Sequence, residues 1–472
     1  MPPGGSSKPS EGGSTITPQS GEDYGTFGSS ESVKSELAIF DGPSYQVSHI
    51  KGQWLQLFPA NNYRGHEGTN IEFKIPNNPG WYLDFNDSYI IASVGIVDPD
   101  GKPIAADAKV AFENFAIATL FKDVSFGTKT LTKIEGENQT YHYRAYLYAL
   151  LNGSYSSKKF QLSAGGWDPD EAGKYDDFDA TSTDADIKGN MGYHIRRQWT
   201  KNNTPLQVAG QVFLDTWLQK QYFLDGQEFD LTFKLNDPAL VLHATPADKT
   251  KYKVKMNMCR LFLRQVNVSQ SVLLGHAKGL QNHNCIVPYV GHKIFTKLIT
   301  AGGQEERAED FFHGTYPKCV ILGLVEHEAY CGSYHKNPYN FQHFNLTHCG
   351  LTVNGIPTPS EPYTPNFATR EALREYYNLF LQLGKPGVFN DDNGITYQDF
   401  LGGCTLYSFN LAADLSLSGH AQMARLSNID VTMKFSTPVP KPLQLVGLAI
   451  YDTSIEMTAD RRWLLDPSQN AN

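Results

Sequence analysis

A nine-residue segment occurs twice in this chain, two hundred positions apart. Residues 230–238 read DLTFKLNDP and residues 430–438 read DVTMKFSTP, with Asp, Thr, Lys and Pro in the same four places. In both copies apolar residues alternate with polar ones, as in a strand that buries one face and exposes the other to water. The sequence therefore predicts a β-domain duplicated in tandem.

The elements upstream of each copy also follow the same order. VSFG at 124–127 precedes a helical segment that opens at Thr140, and LTVNG at 351–355 precedes one that opens at Thr369. A Thr at a helix start can accept hydrogen bonds from free backbone N–H groups, and Gly153 and Gly384 suit the left-handed position after each helix. A collinear strand, turn, helix and strand is much stronger evidence for duplication than one short match.

Length and composition agree with two β-sandwiches. The chain has 472 residues, enough for two domains of about 200 residues each. With 25 Tyr, 27 Phe, 41 Gly and 26 Pro but only 19% charged residues, the composition is typical of many short strands joined by turns. We predict an all-β fold of two tandem eight-stranded jelly-roll sandwiches (a double jelly roll) with short helices and long loop insertions.

Strand patterns predict the domain boundaries. Residues 1–36 are rich in Gly, Ser, Pro and Glu and are predicted to be a disordered N-terminal arm. The first jelly roll is predicted at 37–242, the second at 243–460, and a C-terminal tail at 461–472. Strands are predicted at 194–199 in the first sandwich and from Tyr252 at the start of the second.

Net charge argues against direct nucleic-acid binding. The chain carries a net charge of −9, and no run of Lys or Arg exceeds the pairs at 196–197 and 461–462. Neutralising phosphates would need a clustered basic patch. No stretch reaches 18 apolar residues, so no transmembrane helix is predicted.

Six cysteines all fall in the second half of the chain. They are Cys259, Cys285, Cys319, Cys331, Cys349 and Cys404. A secreted, disulfide-stapled scaffold would cross-link both halves, and the N-terminus has no apolar signal segment. We therefore predict reduced, buried thiols.

An acidic insertion is the most distinctive loop. Residues 167–186 (WDPDEAGKYDDFDATSTDAD) are rich in Asp and contain one Lys, which predicts a hydrated loop projecting into solvent. Five carboxylates in it are potential Ca²⁺ ligands: Asp168, Asp170, Asp176, Asp177 and Asp179. The ordered spacing of a calcium loop, with its central Gly and terminal Glu, is missing, so a hydrated loop is favoured over a calcium site.

Several histidine and cysteine residues between positions 327 and 349 are candidate zinc ligands. His327-Glu328 begins like the HExxH motif of zinc proteases, but position 331 is Cys, and the preceding residues resemble a buried strand. The wider set comprises His327, Cys331, His335, His343, His348 and Cys349. It has no CxxC pair and no regular finger spacing, so packing and turn roles are favoured over zinc.

Other chemical motifs are incomplete. Asp391, Asn393 and Gly394 resemble the start of an EF-hand without its closing Glu, so a turn followed by a short helix is the simpler interpretation. The sequence has no phosphate-binding loop, no GxSxG elbow and no dinucleotide fingerprint. A carboxylate pair for glycoside hydrolysis has no fixed spacing, so that alternative stays open. We predict no enzyme activity, no catalytic residues, no cofactor and no metal.

Five segments carry a resemblance to a known family. They are ELAIFDGPSYQVSHIKGQWLQLFP at 36–59, YRAYLYALLNGS at 143–154, VSQSVLLGHAKGL at 268–280, GSYHKNPYNFQHFNL at 332–346 and GCTLYSFNLAADLSLSGH at 403–420. In these segments the sequence resembles the double jelly-roll major capsid proteins of the Polinton (Maverick) and adintovirus group, relatives of adenovirus hexon.

The resemblance implies a hexon-like capsomer. Three copies would place six jelly rolls around a threefold axis, giving a pseudo-hexagonal homotrimer that tiles an icosahedral virus shell. It implies neighbouring capsomers, penton proteins and minor capsid proteins as partners, and the virion as the location. The alternative is a tandem β-sandwich carbohydrate-binding protein, which would expose aromatic platforms in a groove.

Two aromatic segments are candidates for packing between sandwiches or between subunits. These are residues 333–344 (SYHKNPYNFQHF) and 375–381 (EYYNLFL), which lie outside the duplicated strand pattern. For any single residue in them, the core of one domain is the alternative place.

Overall fold

The computed structural model describes residues 45–63, 70–129, 133–136, 139–178, 189–385, 392–415, 417, 420–423 and 425–465. These residues form mainly antiparallel sheets. The predicted arm at 1–36 lies outside them.

The first half of the chain forms one jelly roll. Its strands are β1 (His49–Leu57), β2 (Asn70–Ile75), β3 (Trp81–Val97), β4 (Val110–Phe112), β5 (Phe121–Thr128), β6 (Glu135–Gly136), β7 (Leu206–Gln211), β8 (Phe229–Leu235), β9 (Leu242–Ala244) and β10 (Lys253–Val268). Eight of these strands form two four-stranded sheets, in the orders β1-β10-β3-β7 and β2-β8-β5-β6, while β4 pairs with β9. Phe85 of β3 lies 5.2 Å from Phe126 of β5 and 5.7 Å from Phe229 of β8 between ring centroids, so the sheets pack face to face.

The second half repeats this arrangement. Its strands are β11 (Cys285–Ile299), β12 (Glu305–Thr315), β13 (Cys319–Glu326), β14 (Leu346–Val353), β15 (Ile356–Tyr363), β16 (Leu406–Asn410), β17 (Leu426–Phe435), β18 (Leu443–Met457) and β19 (Trp463–Leu465). The sheet orders are β11-β18-β13-β16, with β19 added beside β18, and β12-β17-β14-β15. Phe295 of β11 packs on Phe312 of β12 at 5.1 Å between centroids.

The two sheet orders match strand for strand. The repeated segments found in the sequence are β8 and β17, and each occupies the second place in its sheet, between equivalent neighbours. The protein is therefore an all-β double jelly roll, as predicted, with eight equivalent strands in each sandwich and β19 as an addition to the second.

Helices fill the connections. They are α1 (Ala116–Thr119), α2 (Tyr141–Asn152), α3 (Tyr155–Lys159), α4 (Met191–Trp199), α5 (Pro238–Val241), α6 (Gln270–Asn282), α7 (His327–Cys331), α8 (Leu373–Leu381) and α9 (Tyr397–Leu401), with 3-10 turns at Leu162–Gly165 and Lys201–Asn203. Helices α2 and α8 are equivalent, because each is the first helix after the strand pair β5-β6 or β14-β15. The Asn354-Gly355 turn between β14 and β15 has positive φ at both residues, as its sequence predicts.

The predicted helix ends are right only in part. Thr140 precedes α2 but its side chain makes no capping hydrogen bond, and Gly153 has φ −67° rather than a left-handed conformation. Helix α8 begins at Leu373, four residues after the predicted Thr369. Gly384 does adopt the left-handed conformation, with φ +70°.

The predicted strand at 194–199 is wrong, because these residues belong to α4. The Asn190 side chain accepts a hydrogen bond from Tyr193 N and caps this helix. The buried face of α4 includes Tyr193, His194 and Arg196. Because one of the buried positions of α4 is the polar residue Arg196, the sequence does not show the apolar periodicity that is typical of a helix.

Strand pairing also bears on the predicted domain boundaries. Strand β10, predicted to open the second sandwich, pairs with β1 and β3 of the first. This pairing argues for a division after Val268 rather than after Leu242. The predicted tail at 461–472 includes β19, which pairs with β18, and Trp463 is buried against Phe223 at 5.2 Å between centroids.

Candidate assembly surfaces and the junction between the jelly rolls

An aromatic stack joins the two jelly rolls. Tyr339 of the second half stacks on Tyr146 of α2 at 4.0 Å between centroids and lies 5.4 Å from Tyr143. The Tyr339 hydroxyl is 2.9 Å from His142 Nδ1. Tyr339, Tyr143 and Tyr146 are buried. The predicted role of segment 333–344 in packing between sandwiches is confirmed at Tyr339.

A charged cluster lies at the same junction. Arg144 of α2 donates from Nη1 to Glu135 Oε1 at 2.7 Å and to Asp215 Oδ2 at 3.1 Å. Asp215 also accepts from the His292 backbone N at 2.6 Å and lies 2.8 Å from His292 Nδ1. Since His292 is on β11, this cluster ties the first jelly roll to an edge strand of the second. Burial would raise the pKa of Asp215, but Arg144 and His292 hold it below the usual value.

A second buried cluster lies under the acidic insertion. Arg196 of α4 donates to Asp170 Oδ1 at 2.6 Å, and both side chains have no exposed surface. Asn337 of the second half donates to Asp170 Oδ2 at 2.9 Å and to Glu113 at 3.3 Å. Glu113 in turn pairs with His243, again with no exposure on either side chain.

Two carboxylates of this cluster have opposite pKa shifts. Burial raises the pKa of Asp170 although Arg196 opposes the shift. Burial would also raise the pKa of Glu113, but His243 and Arg196 bring it below the usual value. The cluster places carboxyl, guanidinium and imidazole groups in a buried site, where removing one partner leaves another buried polar group unpaired.

The acidic insertion is exposed only in part among its described residues. Asp170 is buried in the cluster above, and Trp167, Tyr175 and Phe178 are also buried. Asp176 accepts from the Asn337 backbone N at 2.7 Å. Asp179 and the rest of the predicted loop lie outside the described residues. The predicted hydrated loop is therefore wrong for the buried residues of 167–178, whose partners come from distant parts of the chain, while Pro169, Glu171, Gly173 and Asp177 are exposed.

The equivalent edge strands β1 and β11 carry similar exposed apolar rows. On β1 and just after it, Trp54 and Phe58 lie four residues apart on one face, and Ile50 lies at the irregular pairing between His49 and Lys51; we call these three exposed residues the β1 face. They are 65%, 53% and 62% exposed. On β11 the exposed apolar residues are Ile286, Val290 and Leu298, whose positions differ by even numbers, as in the β1 face. His292, which lies between them, is buried. The pattern was not predicted, although the spacing of four between Trp54 and Phe58 is visible in the sequence.

The equivalent helices α2 and α8 differ in what covers them. Helix α2 is buried along nearly its whole length and packs on β11, where Tyr148 lies 5.4 Å from His292 between ring centroids. Helix α8 buries Glu375 and Leu379 but leaves a stripe of Leu373, Tyr377 and Leu381 exposed, which we call the α8 stripe. Within the chain, α2 packs on the middle of β11 at His292, while Ile286, Val290 and Leu298 of β11 remain exposed. Neither the α8 stripe nor the β1 face has such a cover among the described residues.

The predicted histidine and cysteine set does not gather around a point. Among the described residues no group of three or more His, Cys, Asp or Glu side chains could hold a metal ion. His327 and Cys331 meet on α7, with 3.3 Å between Nε2 and Sγ. His335 contacts the Ala244 carbonyl, His343 stacks on Phe367, and Cys349 is buried in the core. His348 lies on β14.

The remaining sequence candidates have structural roles. Asn393 is buried and Gly394 has φ +68°, followed by α9 with a Thr396–Asp399 capping box, as the turn-and-helix interpretation predicts; Asp391 lies outside the described residues. All six cysteines are free, and four are buried. The prediction of buried thiols is wrong for Cys331, which is exposed, and for Cys285, which is half-buried. In the part of the chain that the structure describes, each helix is too short or too polar to cross a membrane.

Known proteins share this architecture. No family model matches the chain. An uncharacterized protein of Caenorhabditis elegans is 23% identical over 435 residues, covering 90% of this chain and 99% of the nematode protein. A chain in the cryo-EM structure of the Sputnik virophage matches 94% of this chain over 95% of its own length, with 13% identity and a TM-score of 0.61. A chain in the quasi-atomic model of the PBCV-1 virus capsid matches 90% of this chain over 98% of its own, with 10% identity and a TM-score of 0.52. At these identities the likeness shows the fold alone: the chain is a double jelly roll, like the matched chains of the virophage and the virus capsid.

Proposed function

We propose that this chain is a major capsid protein whose copies form homotrimers, and that these trimers are pseudo-hexagonal capsomers of an icosahedral shell. Its role is structural rather than enzymatic, and its place is the virion. Neighbouring capsomers, penton proteins and minor capsid proteins are its expected partners. The assignment to the Polinton (Maverick) and adintovirus group rests on the sequence resemblance.

One observation carries the proposal. Within the chain, helix α2 of the first jelly roll packs on edge strand β11 of the second. The equivalent pair, with the roles of the two jelly rolls exchanged, is α8 of the second jelly roll and β1 of the first. Among the described residues nothing covers the α8 stripe or the β1 face. In a ring of alternating first and second jelly rolls, the α8 stripe of one copy would pack on the β1 face of the next. Three copies would then present six similar contacts.

The chemistry of the two surfaces supports this pairing. On the outer side of the first sheet, Trp54 contacts Tyr89 at 5.4 Å, and Tyr89 stacks on Phe262 at 4.9 Å. This aromatic surface complements the Leu, Tyr and Leu side chains of the α8 stripe. Clusters of exposed aromatic residues are typical of the energetic centre of an interface. Contacts of this kind are heterologous, and they form a ring when the rotation between copies closes.

The test is the mass and shape of the purified protein. Mass photometry should give a trimer of about 158 kDa, three times the chain mass of 52.6 kDa. Negative-stain electron microscopy should show particles with a hexagonal outline. A monodisperse monomer would refute the assembly and favour the carbohydrate-binding alternative, for which a monomer is sufficient.

A further inference from the structure

We infer that the first jelly roll carries a saccharide-binding cavity between the insertion helices and strand β7. The cavity has a volume of about 580 Å³, within the range of small-ligand sites. Its lining includes Trp167, Trp199, Asp168, Lys159, Ser163 and Gln207. This inference does not depend on assembly into a shell.

The cavity belongs to the part of the fold that distinguishes the two halves. Between β6 and β7 the first jelly roll has α2, α3, α4, two 3-10 turns and the acidic insertion, whereas the second has only α8 and α9 between β15 and β16 among the described residues. The duplicated sheets account for stability in both halves. An insertion present in one copy is where a separate binding role can be added.

The apolar part of the cavity is rigid. Trp167 is 4% exposed and is held by a stack on Tyr146 at 5.5 Å and an edge contact to Phe115 at 5.2 Å between centroids. Its Nε1 is buried without a hydrogen-bond partner among the described residues. Trp199, the last residue of α4, lines the same cavity and is half-buried. Tyr146 stacks on the Trp167 ring and the Lys158 ammonium lies over that ring at 5.5 Å, so Trp199 is the indole with surface left for a ligand. An indole face carries negative charge density, which attracts the C–H groups on one side of a sugar ring.

The polar rim suits hydroxyl groups. Among the described residues no side chain donates a hydrogen bond to the Asp168 carboxylate, whose pKa is raised to about 6, mainly by burial. Carboxylate, hydroxyl, amide and ammonium groups around an indole can accept from and donate to several hydroxyls at once. Lys158 and Lys159 both line the cavity, which disfavours a cationic ligand. Lys158 is fixed by donating to the carbonyls of Leu150 and Asn393.

The experiment is saturation-transfer NMR on the purified full-length protein. The probes are glucose, galactose, mannose, N-acetylglucosamine, glucuronic acid and N-acetylneuraminic acid at millimolar concentration. We expect a saturation-transfer signal from at least one of these sugars. The Trp199→Ala substitution should weaken binding of that sugar about tenfold or more. Asp168→Asn, which keeps the side-chain shape, should also weaken binding.

Matched controls separate the cavity from general effects. Trp81→Ala removes another half-buried tryptophan that does not line the cavity, and Lys102→Ala removes an exposed lysine elsewhere; both should retain the response. Lack of any response across the six sugars would overturn the inference, as would a response that persists in both Trp199→Ala and Asp168→Asn. Either result leaves trimer formation untouched, so the two proposals fail separately.

Discussion

The proposed contact between the α8 stripe and the β1 face predicts how single substitutions affect assembly. Trp54→Glu should disable the β1 face and Tyr377→Glu the α8 stripe, and each variant alone should be monomeric at concentrations where the wild type is trimeric. Ile356→Glu is the matched control, because Ile356 is 68% exposed on β15 and lies outside both surfaces. This control should assemble like the wild type.

The expected magnitude follows from exposure. Trp54 is 53% exposed and Tyr377 is 57% exposed. A Trp or Tyr side chain buries ~200 Å² when fully covered, so the proposed contact removes roughly a further 100 Å² of each from water. At ~25 cal/mol per Å², this is worth ~2.5 kcal/mol per side chain. A closed ring repeats the contact three times, once for each copy of the chain. Losing one side chain from every copy therefore weakens trimer association by ~8 kcal/mol, which lowers the association constant by between five and six powers of ten.

Mixing the two variants gives the sharpest assay. A Trp54→Glu chain keeps its α8 stripe and a Tyr377→Glu chain keeps its β1 face, so one functional contact can form between them and no further chain can add. Mass photometry of the mixture should show a heterodimer of about 105 kDa, twice 52.6 kDa, at concentrations high enough to populate a single contact. Trimers formed by either variant alone would refute the contact, and so would a mixture that stays monomeric at high concentration while the wild type forms trimers.

Three further predictions concern stability. Arg196→Met leaves a buried carboxylate without its cation and should lower the free energy of unfolding by ~3–5 kcal/mol in urea titrations, whereas Lys102→Met, at an exposed lysine, should change it little. Gly447→Ala would place a Cβ 2.5 Å from a neighbouring phenyl ring and should cost ~1–3 kcal/mol, while Gly275→Ala, in open space on α6, should raise stability by up to ~1 kcal/mol. Burial lowers the pKa of His142 to about 3, so the unfolded chain takes up a proton that the folded chain excludes, and stability should fall as pH drops from about 6.5 towards 3. In His142→Asn this part of the pH dependence should be absent from urea midpoints measured across that range.

Local sequence patterns predicted the strands that have one solvent-exposed face and one buried face. Strands β8 and β17 alternate along their length, and their equivalence gave the duplication and the fold class. Strand β12 was missed because it is a largely exposed edge strand whose sequence, EERAEDFFHGT, has little apolar periodicity. Strand β10 was predicted as a strand but assigned to the second jelly roll, whereas it pairs with β1 and β3 of the first. The alternation of apolar and polar residues indicates which face of a strand is buried, but it does not indicate which strands pair with it.

The buried polar clusters could not be predicted from local sequence. Asp170 looks like a solvated loop residue until Arg196 and Asn337 surround it, and Asn337 is 167 positions away. The assembly surfaces were only partly visible. Segment 375–381 was a candidate from its aromatic content, but the exposure of the α8 stripe becomes evident only once the equivalent helix α2 is seen to be covered.

The burial of α2 has a consequence for synthesis on the ribosome. Tyr143 and Tyr146 are translated almost two hundred residues before Tyr339, the ring that covers them. Contacts so distant along the chain form slowly, and until they form the nascent first half exposes the aromatic part of α2 that Tyr339 covers in the complete fold. Crowded polysomes translating this message would then bring such helices from adjacent chains together. A chaperone that shields α2 until the second half emerges would raise the yield of correctly folded chains.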